Sequence, residues 1–162
     1  MLNNISLINF TNLTLSEKKM VLAWRNHSNV KQWMHNNDLI SMENHLAFID
    51  YLKNSHDKIY FLVKQDDAYI GVIDFSNLDK HHKISEFGLY ANVELKGMGN
   101  VLLNSICEYG FNILQLDRLT AEVFKGNEKA IRLYKRFHFK EITTKTINNQ
   151  EIICMELKNE DR

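Results

Sequence analysis

Apolar and polar residues alternate along several stretches of the chain, as is typical of strands whose successive side chains point to opposite faces of a sheet. These stretches are residues 5–10, 59–64, 69–75, 84–90 and 118–124, and two closing strands are expected on either side of Asn148 and Asn149. The polar residues 65–67 between the second and third stretches predict a hairpin.

Apolar residues three or four positions apart predict the helices, because such residues share one helical face. A first helix can begin at Thr14 or Ser16 and a second at Ser41, since hydroxyl side chains cap helix N-termini. The expected faces are Met20, Val21, Trp24, Val30, Trp33 and Met34; then Leu46, Ile49 and Leu52; then Met98, Leu102, Ile106, Tyr109 and Ile113; and last Ala130, Ile131, Tyr134 and Phe137. The third helix is expected to extend to about Leu114.

The resulting order of elements, β-α-α-β-β-β-α-β-α-β-β, predicts a mixed α/β fold rather than repeated β-α-β units. The chain contains no proline, and its sequence shows no linker, low-complexity tract or obvious internal repeat. Residues 1–162 are therefore expected to form a single domain.

The stretch Leu95-Lys96-Gly97-Met98-Gly99-Asn100 joins the strand predicted at 84–90 to the longest predicted helix. The first amides of a helix lack helical partners and lie at the positive end of its dipole, and glycine lets a ligand approach the backbone. The stretch therefore favours a cradle for a phosphate or pyrophosphate, with a simple tight turn as the alternative. It is neither a dinucleotide fingerprint nor a P-loop, since Leu102 replaces the third glycine and no Gly-Lys-Ser/Thr follows.

Composition and charge exclude several classes of function. The 162 residues carry a formal net charge of +0 with a pI of about 7.1, so no basic field favours nucleic acid or an anionic membrane. No apolar run approaches the ~20 residues that span a bilayer, and residues 1–4 lack the basic start of a secretory signal. Cys107 and Cys154 are expected to be buried free thiols of a cytoplasmic protein, with a disulfide as the alternative. His81 and His82 lack further ligands in the surrounding sequence, so no metal site is expected.

A second signature opens the last predicted helix, where Asn127, Ala130 and Tyr134 form the pattern Asn-x-x-Ala-x-x-x-Tyr. Together with the glycine turn, this pattern resembles the GCN5-related N-acetyltransferase superfamily, whose members carry a Gln/Arg-x-x-Gly-x-Gly/Ala loop before that helix. Here the loop begins at Glu94, which stands in place of the usual Gln or Arg. The departure affects only a side-chain contact, because backbone amides do most of the phosphate binding in such a loop.

The resemblance implies a central, mostly antiparallel, twisted sheet of about seven strands flanked by about four helices. It also implies transfer of an acetyl group from acetyl-coenzyme A to an amine, without a metal. The residues expected to bind this co-substrate are Leu89, Leu95, Lys96, Gly97, Met98, Gly99, Asn100, Asn127 and Ala130.

Further segments are similar to the pseudaminic-acid-pathway members of the superfamily, which acetylate the 4-amino group of a UDP-linked 4-amino-4,6-dideoxy sugar for flagellin glycosylation. These segments are Trp24-Arg25-Asn26-His27, Trp33-Met34, His45 with Phe48, Gly71-Val72-Ile73-Asp74-Phe75, Glu86-Phe87-Gly88-Leu89-Tyr90 and Glu122-Val123. The resemblance implies UDP-linked 4-amino-4,6-dideoxy-N-acetyl-altrosamine as the acceptor.

Acetyl transfer needs a base for the amine, an oxyanion donor and an acid for the departing thiolate. Tyr134 is the expected acid, since a phenol with a pKa near ~10 can protonate a thiolate whose parent thiol is near ~8.5; simple core packing is the alternative. Asp74, in an apolar strand, is the expected base, directly or through water, unless the amine arrives neutral and needs none. Glu122 is assigned to substrate binding or water orientation, and a main-chain amide near Leu89 to the oxyanion.

The acceptor pocket is expected to draw on the two N-terminal helices. Arg25 suits a nucleotide diphosphate as a bidentate donor, with a surface arginine as the alternative. His45 and Phe48 share a helical face, where they can hold a phosphate or ribose and stack on uracil. Met34 and Tyr90 can wall an apolar pocket for the methyl group of a deoxy sugar.

Two other functions stay open at this point. A superfamily member of the ribosomal-protein type would acetylate a protein N-terminus, and its sequences also carry tryptophans near the first helices. A non-catalytic acyl-coenzyme A binding module is the second, although such a module would not need Tyr134 and Asn127. The sequence is also compatible with a homodimer.

Overall fold

A computed structural model describes residues 4–162, in which seven strands form one sheet. The strands are β1 (Ile5–Asn9), β2 (Ile59–Gln65), β3 (Ala68–Asp79), β4 (Ile84–Ala91), β5 (Arg118–Phe124), β6 (Lys140–Ile147) and β7 (Gln150–Lys158). The helices are α1 (Leu15–Asn26), α2 (Ser28–Lys31), α3 (Met42–Leu52), α4 (Gly99–Cys107) and α5 (Glu128–Arg136). The expectation about a secretory signal concerns residues 1–4, of which 1–3 lie outside the described residues.

The strands lie in the order β1-β2-β3-β4-β5-β7-β6, and all described neighbours are antiparallel except β4 and β5. The parallel pair is short, since it joins Ile84–Glu86 only to Arg118–Thr120. Residues 87–91 of β4 and 121–124 of β5 are not paired with each other, and we call the space between them the β4–β5 gap. The predicted mixed α/β fold with a mostly antiparallel sheet is confirmed.

Helices cover both faces of the sheet, because alternate residues of the central strands are apolar on both sides. On one face Leu102 and Ile106 of α4 and residues of α5 join a core that includes Ile73 and Phe75. On the other face Val21, Trp24, Ile49 and Leu52 of α1 and α3 pack around Leu62 and Val72. We call these the α4–α5 face and the α1–α3 face. No helix within residues 4–162 is long and apolar enough to cross a membrane.

The prediction of one N-terminal helix reaching Met34 is wrong, because the helix ends at Asn26. His27 has an extended backbone (φ −66°, ψ 141°), and its Nδ1 accepts from the Asn29 amide at 3.1 Å, which starts α2 instead. The Asn26 side chain exchanges two hydrogen bonds of 2.8 Å with the backbone of Ile40. Residues 32–41 therefore form an irregular loop whose end lies beside the end of α1.

The long helix also differs from its prediction near its end. It is α-helical only to Cys107, and Glu108–Ile113 forms a wider π-helical turn. A Cβ on Gly110 would lie 3.2 Å from Phe75 and from Leu119, so this turn packs closely on the sheet. The wider turn rotates the residues that follow it relative to an α-helix. Ile113, expected on the buried apolar face, is therefore 65% exposed.

Candidate active site

The glycine turn presents backbone amides at the start of α4. Leu102 is the residue whose amide makes the first α-helical bond, to the Met98 carbonyl at 3.0 Å, so the amides just before it have no helical partner. Met98 precedes the helix without a side-chain cap. Gly97 has a φ of +75°, a conformation that L side chains rarely adopt, and a Cβ there would meet no atom within 4 Å. The turn is therefore open to an anion such as a pyrophosphate.

The neighbours of Gly97 hold this turn against α5. A Cβ on Gly99 would lie 2.9 Å from the Leu133 side chain, so glycine permits the close approach of α4 and α5. Asn100 Oδ1 accepts from Arg136 Nη2 at 3.1 Å across the same contact. Leu95 and Lys96 are exposed on the outer side of the turn. Their contacts with the cofactor stay predictions.

Tyr134 projects from α5 onto the α4–α5 face of the sheet, where it is 7% exposed. Its ring packs edge-on against Phe87, with a centroid distance of 5.5 Å, and Phe87 directly follows the last β4 residue that pairs with β5. Burial, and secondly the negative charge of Asp74, raise the pKa of Tyr134 to about 12. The phenol is therefore a protonated donor at neutral pH, beside the β4–β5 gap.

Asn127 caps α5, since its Oδ1 accepts from the Ala130 amide at 3.3 Å. Its own amide donates to the Phe124 carbonyl at 2.9 Å, which fixes the turn that follows β5. Leu89 lies across the gap on β4, beyond the last pair with β5. The predicted cofactor contacts of these residues stay predictions.

Asp74 lies on the α1–α3 face, in register with Tyr60 on β2 and Gly88 on β4. A Cβ on Gly88 would lie 2.5 Å from Asp74 Oδ2, so glycine leaves the space that the carboxylate occupies. Burial raises the pKa of Asp74 to about 6, and a hydrogen bond of 3.0 Å from Ser76 Oγ acts in the opposite direction. A carboxyl group that titrates near neutrality is suited to act as a general base.

Sequence reasoning misses Tyr60 and Ser76, the two residues beside Asp74. Ser76 could have been found by strand alternation, because it lies two residues further along the same face of β3. Tyr60 depends on the register between β2 and β3, which shifts between Val63 and Lys64. Burial raises the pKa of Tyr60 well above its ordinary value, and Asp74 adds to this effect. Both residues therefore belong to the surroundings of the candidate base.

Arg25 lies at the end of α1, near the phenols of Tyr60 and Tyr90. Its Nη2 donates to the Asn36 carbonyl at 2.7 Å, whereas Nη1 is buried without a hydrogen-bond partner among residues 4–162. Burial lowers the pKa of the guanidinium, and the two phenols oppose this change. A buried donor without a partner costs ~1–3 kcal/mol, so Nη1 is available to a ligand that reaches it. Met34 is half-buried in the turn that follows α2.

His45 and Phe48 point to different surroundings, although both lie on α3. His45 is 6% exposed, and its Nε2 lies 2.8 Å from the Lys18 carbonyl, which ties α3 to α1. Burial lowers the pKa of this imidazole. Phe48 packs edge-on against Tyr60 with a centroid distance of 5.0 Å. The structure thus places Phe48, rather than His45, against Tyr60, the cross-strand partner of Asp74. The substrate contacts of His45 and Phe48 stay predictions.

Glu122 forms a cluster that sequence reasoning did not anticipate. Lys145 of β6 pairs with Glu122 Oε2, His35 Nε2 lies 3.7 Å from Oε1, and Cys154 Sγ lies 3.9 Å from Oε2. His35 also packs against the Phe124 ring. The loop after α2 is thereby held against β5. Substrate binding by Glu122 stays a prediction.

The adjacent histidines lie in the exposed turn between β3 and β4. His82 Nδ1 lies 2.7 Å from Asp79 Oδ2, and the two imidazoles pack edge to face. Within residues 4–162 no group of three or more His, Cys, Asp or Glu side chains is arranged to hold a metal ion. Cys107 and Cys154 are free thiols, as expected, but only Cys107 is buried, and Cys154 is half-buried.

Comparisons with known proteins point to the same chemistry. Residues 19–139 match the family model for the acetyltransferase (GNAT) family. The chain is 49% identical over 135 residues to Acetyltransferase PseH of Campylobacter jejuni, covering 83% of this chain and 84% of that protein. It is 31% identical over 101 residues to Spermidine N(1)-acetyltransferase of Escherichia coli, covering 57% of this chain and 54% of that protein.

Solved structures agree with the sequence comparisons. The crystal structure of C. jejuni N-acetyltransferase PseH in complex with acetyl coenzyme A has a TM-score of 0.81 at 38% identity, covering 96% of this chain and 99% of that one. Spermidine N-acetyltransferase from Vibrio cholerae, in complex with CoA and spermine, has a TM-score of 0.87 at 20% identity, covering 97% and 96% of the two chains, and shares the fold. The family-model match and the identity to PseH establish that this chain belongs to the GNAT family of acetyltransferases.

Proposed function

We propose that the protein transfers the acetyl group of acetyl-coenzyme A to the 4-amino group of a UDP-linked 4-amino-4,6-dideoxy-N-acetyl-altrosamine, in pseudaminic acid biosynthesis. The observation that carries the proposal is the position of two groups on opposite faces of the sheet: Asp74 lies against Gly88, which borders the β4–β5 gap, and Tyr134 packs against Phe87 beside the same gap. A base on one face and an acid on the other suit an amine and a thioester that meet in this gap. The identity to PseH supports the choice of pathway.

The glycine turn is the proposed pyrophosphate site, because its amides lie free at the start of α4. The β4–β5 gap, between Leu89 and the cap residue Asn127, would then hold the acetyl end of the cofactor. A main-chain amide near Leu89 would donate to the oxyanion that forms when the amine attacks the thioester carbonyl. This arrangement leaves the α1–α3 face to the acceptor.

The proton transfers follow from the two ionisation states. Asp74, with a pKa of about 6, is mostly ionised at neutral pH and accepts a proton from the attacking amine nitrogen. The new C–N bond forms, the C–S bond breaks, and the thiolate takes a proton from the Tyr134 hydroxyl. Tyr134 is then reprotonated and Asp74 loses its proton to solvent, which restores the enzyme.

The acceptor would lie among residues that the structure brings around Asp74. Met34, Tyr90 and Phe48 are half-buried and can contact the apolar part of the sugar, while Arg25 Nη1 offers a free donor. Glu122 would contact the acceptor or a water from the β5 side. A cytoplasmic location and a homodimer stay predictions from the sequence.

Steady-state release of coenzyme A thiol tests the proposal with three amines: the UDP-linked amino sugar, spermidine and a peptide with a free N-terminus. We expect kcat/KM to be at least ~10²-fold higher for the UDP-sugar. A higher value for spermidine or for the peptide would contradict the acceptor assignment. Binding of acetyl-coenzyme A without thiol release from any amine would instead identify a non-catalytic module.

A further inference from the structure

Charged side chains divide the α1–α3 face of the sheet into two unlike sides around Asp74. Strand alternation from Gly88 places Glu86, Glu122 and Glu156 on this face, on the side of β4, β5 and β7. The cations nearby are already engaged, since Lys145 pairs with Glu122 and Arg118 Nη1 lies 2.9 Å from Glu156 Oε1. An anionic ligand group is therefore disfavoured on this side.

The opposite side, toward β2 and β1, contains an open cavity of ≈ 350 Å³, within the usual size range of small-molecule sites. Its lining includes Asn9, Thr11, Lys53, Ser55, Lys58 and Tyr60, and the charged residues among those that line it are both lysines. We call it the lysine pocket. A second cavity of ≈ 490 Å³ nearby is lined by Asp57 and Asp79 as well as Lys80, so it is less suited to an anion.

The two lysines differ in whether they already pair with a carboxylate. Lys58 has no carboxylate within ion-pair distance in the part of the chain that the structure describes. Its positive charge lowers the pKa of Asp74, which acts against the larger, opposite effect of burial. Lys53 Nζ lies 3.0 Å from Asp50 Oδ1, with 57% and 76% of the two side chains exposed. Exposed pairs of this kind contribute little to stability, so Lys53 can turn to a ligand at small cost.

The rim of the lysine pocket is already ordered. Asn9 Oδ1 accepts from the amide and from Oγ1 of Thr11, both at 2.9 Å. Ser55 Oγ donates to Asp57 Oδ1 at 3.0 Å. A ligand would therefore meet a preformed rim, which reduces the entropy lost on binding.

Tyr60 connects this pocket to the candidate base, since it lines the pocket and is the cross-strand partner of Asp74. Cross-strand neighbours lie ~5 Å apart. In a 4-amino sugar the amine and the anomeric oxygen lie on opposite sides of the ring. With the amine at Asp74, the anomeric phosphate would fall one or two strand spacings away, at ~5–10 Å. The charges described above favour the direction toward Tyr60 and the lysines.

We propose that the lysine pocket binds the diphosphate of the nucleotide-sugar acceptor, with Lys58 and Lys53 as its cationic contacts. The inference rests on the proposed function, because it takes a nucleotide-linked amine as the acceptor. It assigns the diphosphate to the end of α3 and the start of β2, beyond Tyr60. This assignment replaces the expectation that Arg25 binds the diphosphate. Arg25, which lies near both Tyr60 and Tyr90, would then contact the sugar side of the same ligand.

Calorimetry with UDP as the probe tests this subsite on the whole protein, with coenzyme A titrated separately to distinguish the two sources of a diphosphate. We expect Lys58→Ala to raise the Kd for UDP ~10-fold, the effect of losing one charge-assisted contact, and Lys53→Ala with Lys58→Ala to raise it further. Lys58→Arg should restore most of the affinity. Lys80→Ala, in the neighbouring cavity, is the matched control and should change nothing, and the Kd for coenzyme A should stay constant throughout.

Kinetics with the UDP-sugar at about pH 8, above the pKa of Asp74, completes the test. The double lysine variant should show a raised KM for the sugar with kcat retained. If it acetylates the UDP-sugar with the wild-type KM, the pocket assignment is wrong while the proposed function stands. If the wild-type protein neither binds UDP nor acetylates the UDP-sugar but acetylates another amine, the acceptor assignment fails together with the pocket.

Discussion

Replacing Asp74 with asparagine should make the protein more stable while it removes the proposed base. The carboxylate is ionised at neutral pH in a half-buried position that penalises its charge, as its raised pKa indicates. Asparagine has almost the same shape, can still accept the hydrogen bond from Ser76, and carries no charge. The substitution therefore separates the cost of the group in the fold from its use in the reaction.

The size of the gain follows from the pKa of Asp74, which rises from 3.8 to about 6 on folding and corresponds to ~3 kcal/mol at ~1.4 kcal/mol per pH unit. Solvent still reaches the residue and screens part of this cost, so we expect the free energy of unfolding to increase by about 1–2 kcal/mol. For a chain of this length that corresponds to a rise in Tm of about 2–8 °C. The turnover number should fall by ~10²–10⁴-fold, as for loss of a general base.

The gain should depend on pH in a defined direction. Because the folded pKa lies above the unfolded one, the folded protein binds the proton more tightly, and wild-type stability falls as pH rises through this window. The cost of the charge is absent below about pH 4, about half developed at pH 5 and complete well above pH 6. The stabilisation by Asp74→Asn should therefore be about twice as large at pH 7.5 as at pH 5.

Calorimetric unfolding without acetyl-coenzyme A measures this difference, since a bound ligand would add its own stabilisation. Asp67→Asn, in the exposed hairpin turn, is the control for removing one negative charge and should leave Tm unchanged. An Asp74→Asn variant that is equal to or less stable than wild type at pH 7.5 would refute the reasoning about its pKa. A stabilised variant with full activity would refute its role as the base.

Three other changes test the remaining parts of the site. Tyr134→Phe should keep the fold and the Kd for acetyl-coenzyme A but lower kcat by ~10²–10⁴-fold in a thiol-release assay. Tyr109→Phe is the control and should leave kcat unchanged. If Tyr134→Phe also kept the wild-type kcat, Tyr134 would be a packing residue. Gly97→Val should raise the Kd for acetyl-coenzyme A at least ~10-fold by calorimetry, because valine at a φ of +75° adds ~1–3 kcal/mol of strain and reshapes the turn; unchanged affinity in a folded variant would remove the pyrophosphate assignment. Ser76→Ala should move the acid limb of the pH profile of kcat/KM to higher pH, because the Ser76 hydroxyl lowers the pKa of Asp74 in the wild-type protein. Ser76→Thr keeps a hydroxyl and should leave the acid limb in place. Identical acid limbs in all three proteins would exclude this hydrogen bond from the reaction.

Local sequence signals predict most of the fold. The strand at 118–124 has the predicted bounds, and Ser41 caps α3 as expected, with its Oγ 3.1 Å from the Asn44 amide. The errors arise where a contact distant in sequence, or a competing cap, decides the backbone. His27 starts a new helix because its side chain accepts a backbone hydrogen bond, and the π-helical turn lies where Gly110 packs closely on the sheet.

The site is predictable to the extent that short segments carry it. The glycine turn and the pattern from Asn127 to Tyr134 each lie within one turn or helix, so the positions of their residues in the sequence determine how these residues are arranged in space. Asp74 stands out as a lone carboxylate in an apolar strand. Tyr60 and the contact of His35 with Glu122 depend on strand register and on the path of a loop, which no local pattern encodes.

The short parallel contact of β4 with β5 divides the sheet into two halves of very different connectivity. β1 to β4 form one antiparallel unit, and β5, β7 and β6 form another, with three residue pairs between them. Such a seam favours partial opening in which the halves separate before either unfolds. A cofactor that bridges the seam would suppress this opening, so hydrogen exchange along residues 84–86 and 118–120 would report its occupancy without any measurement of catalysis.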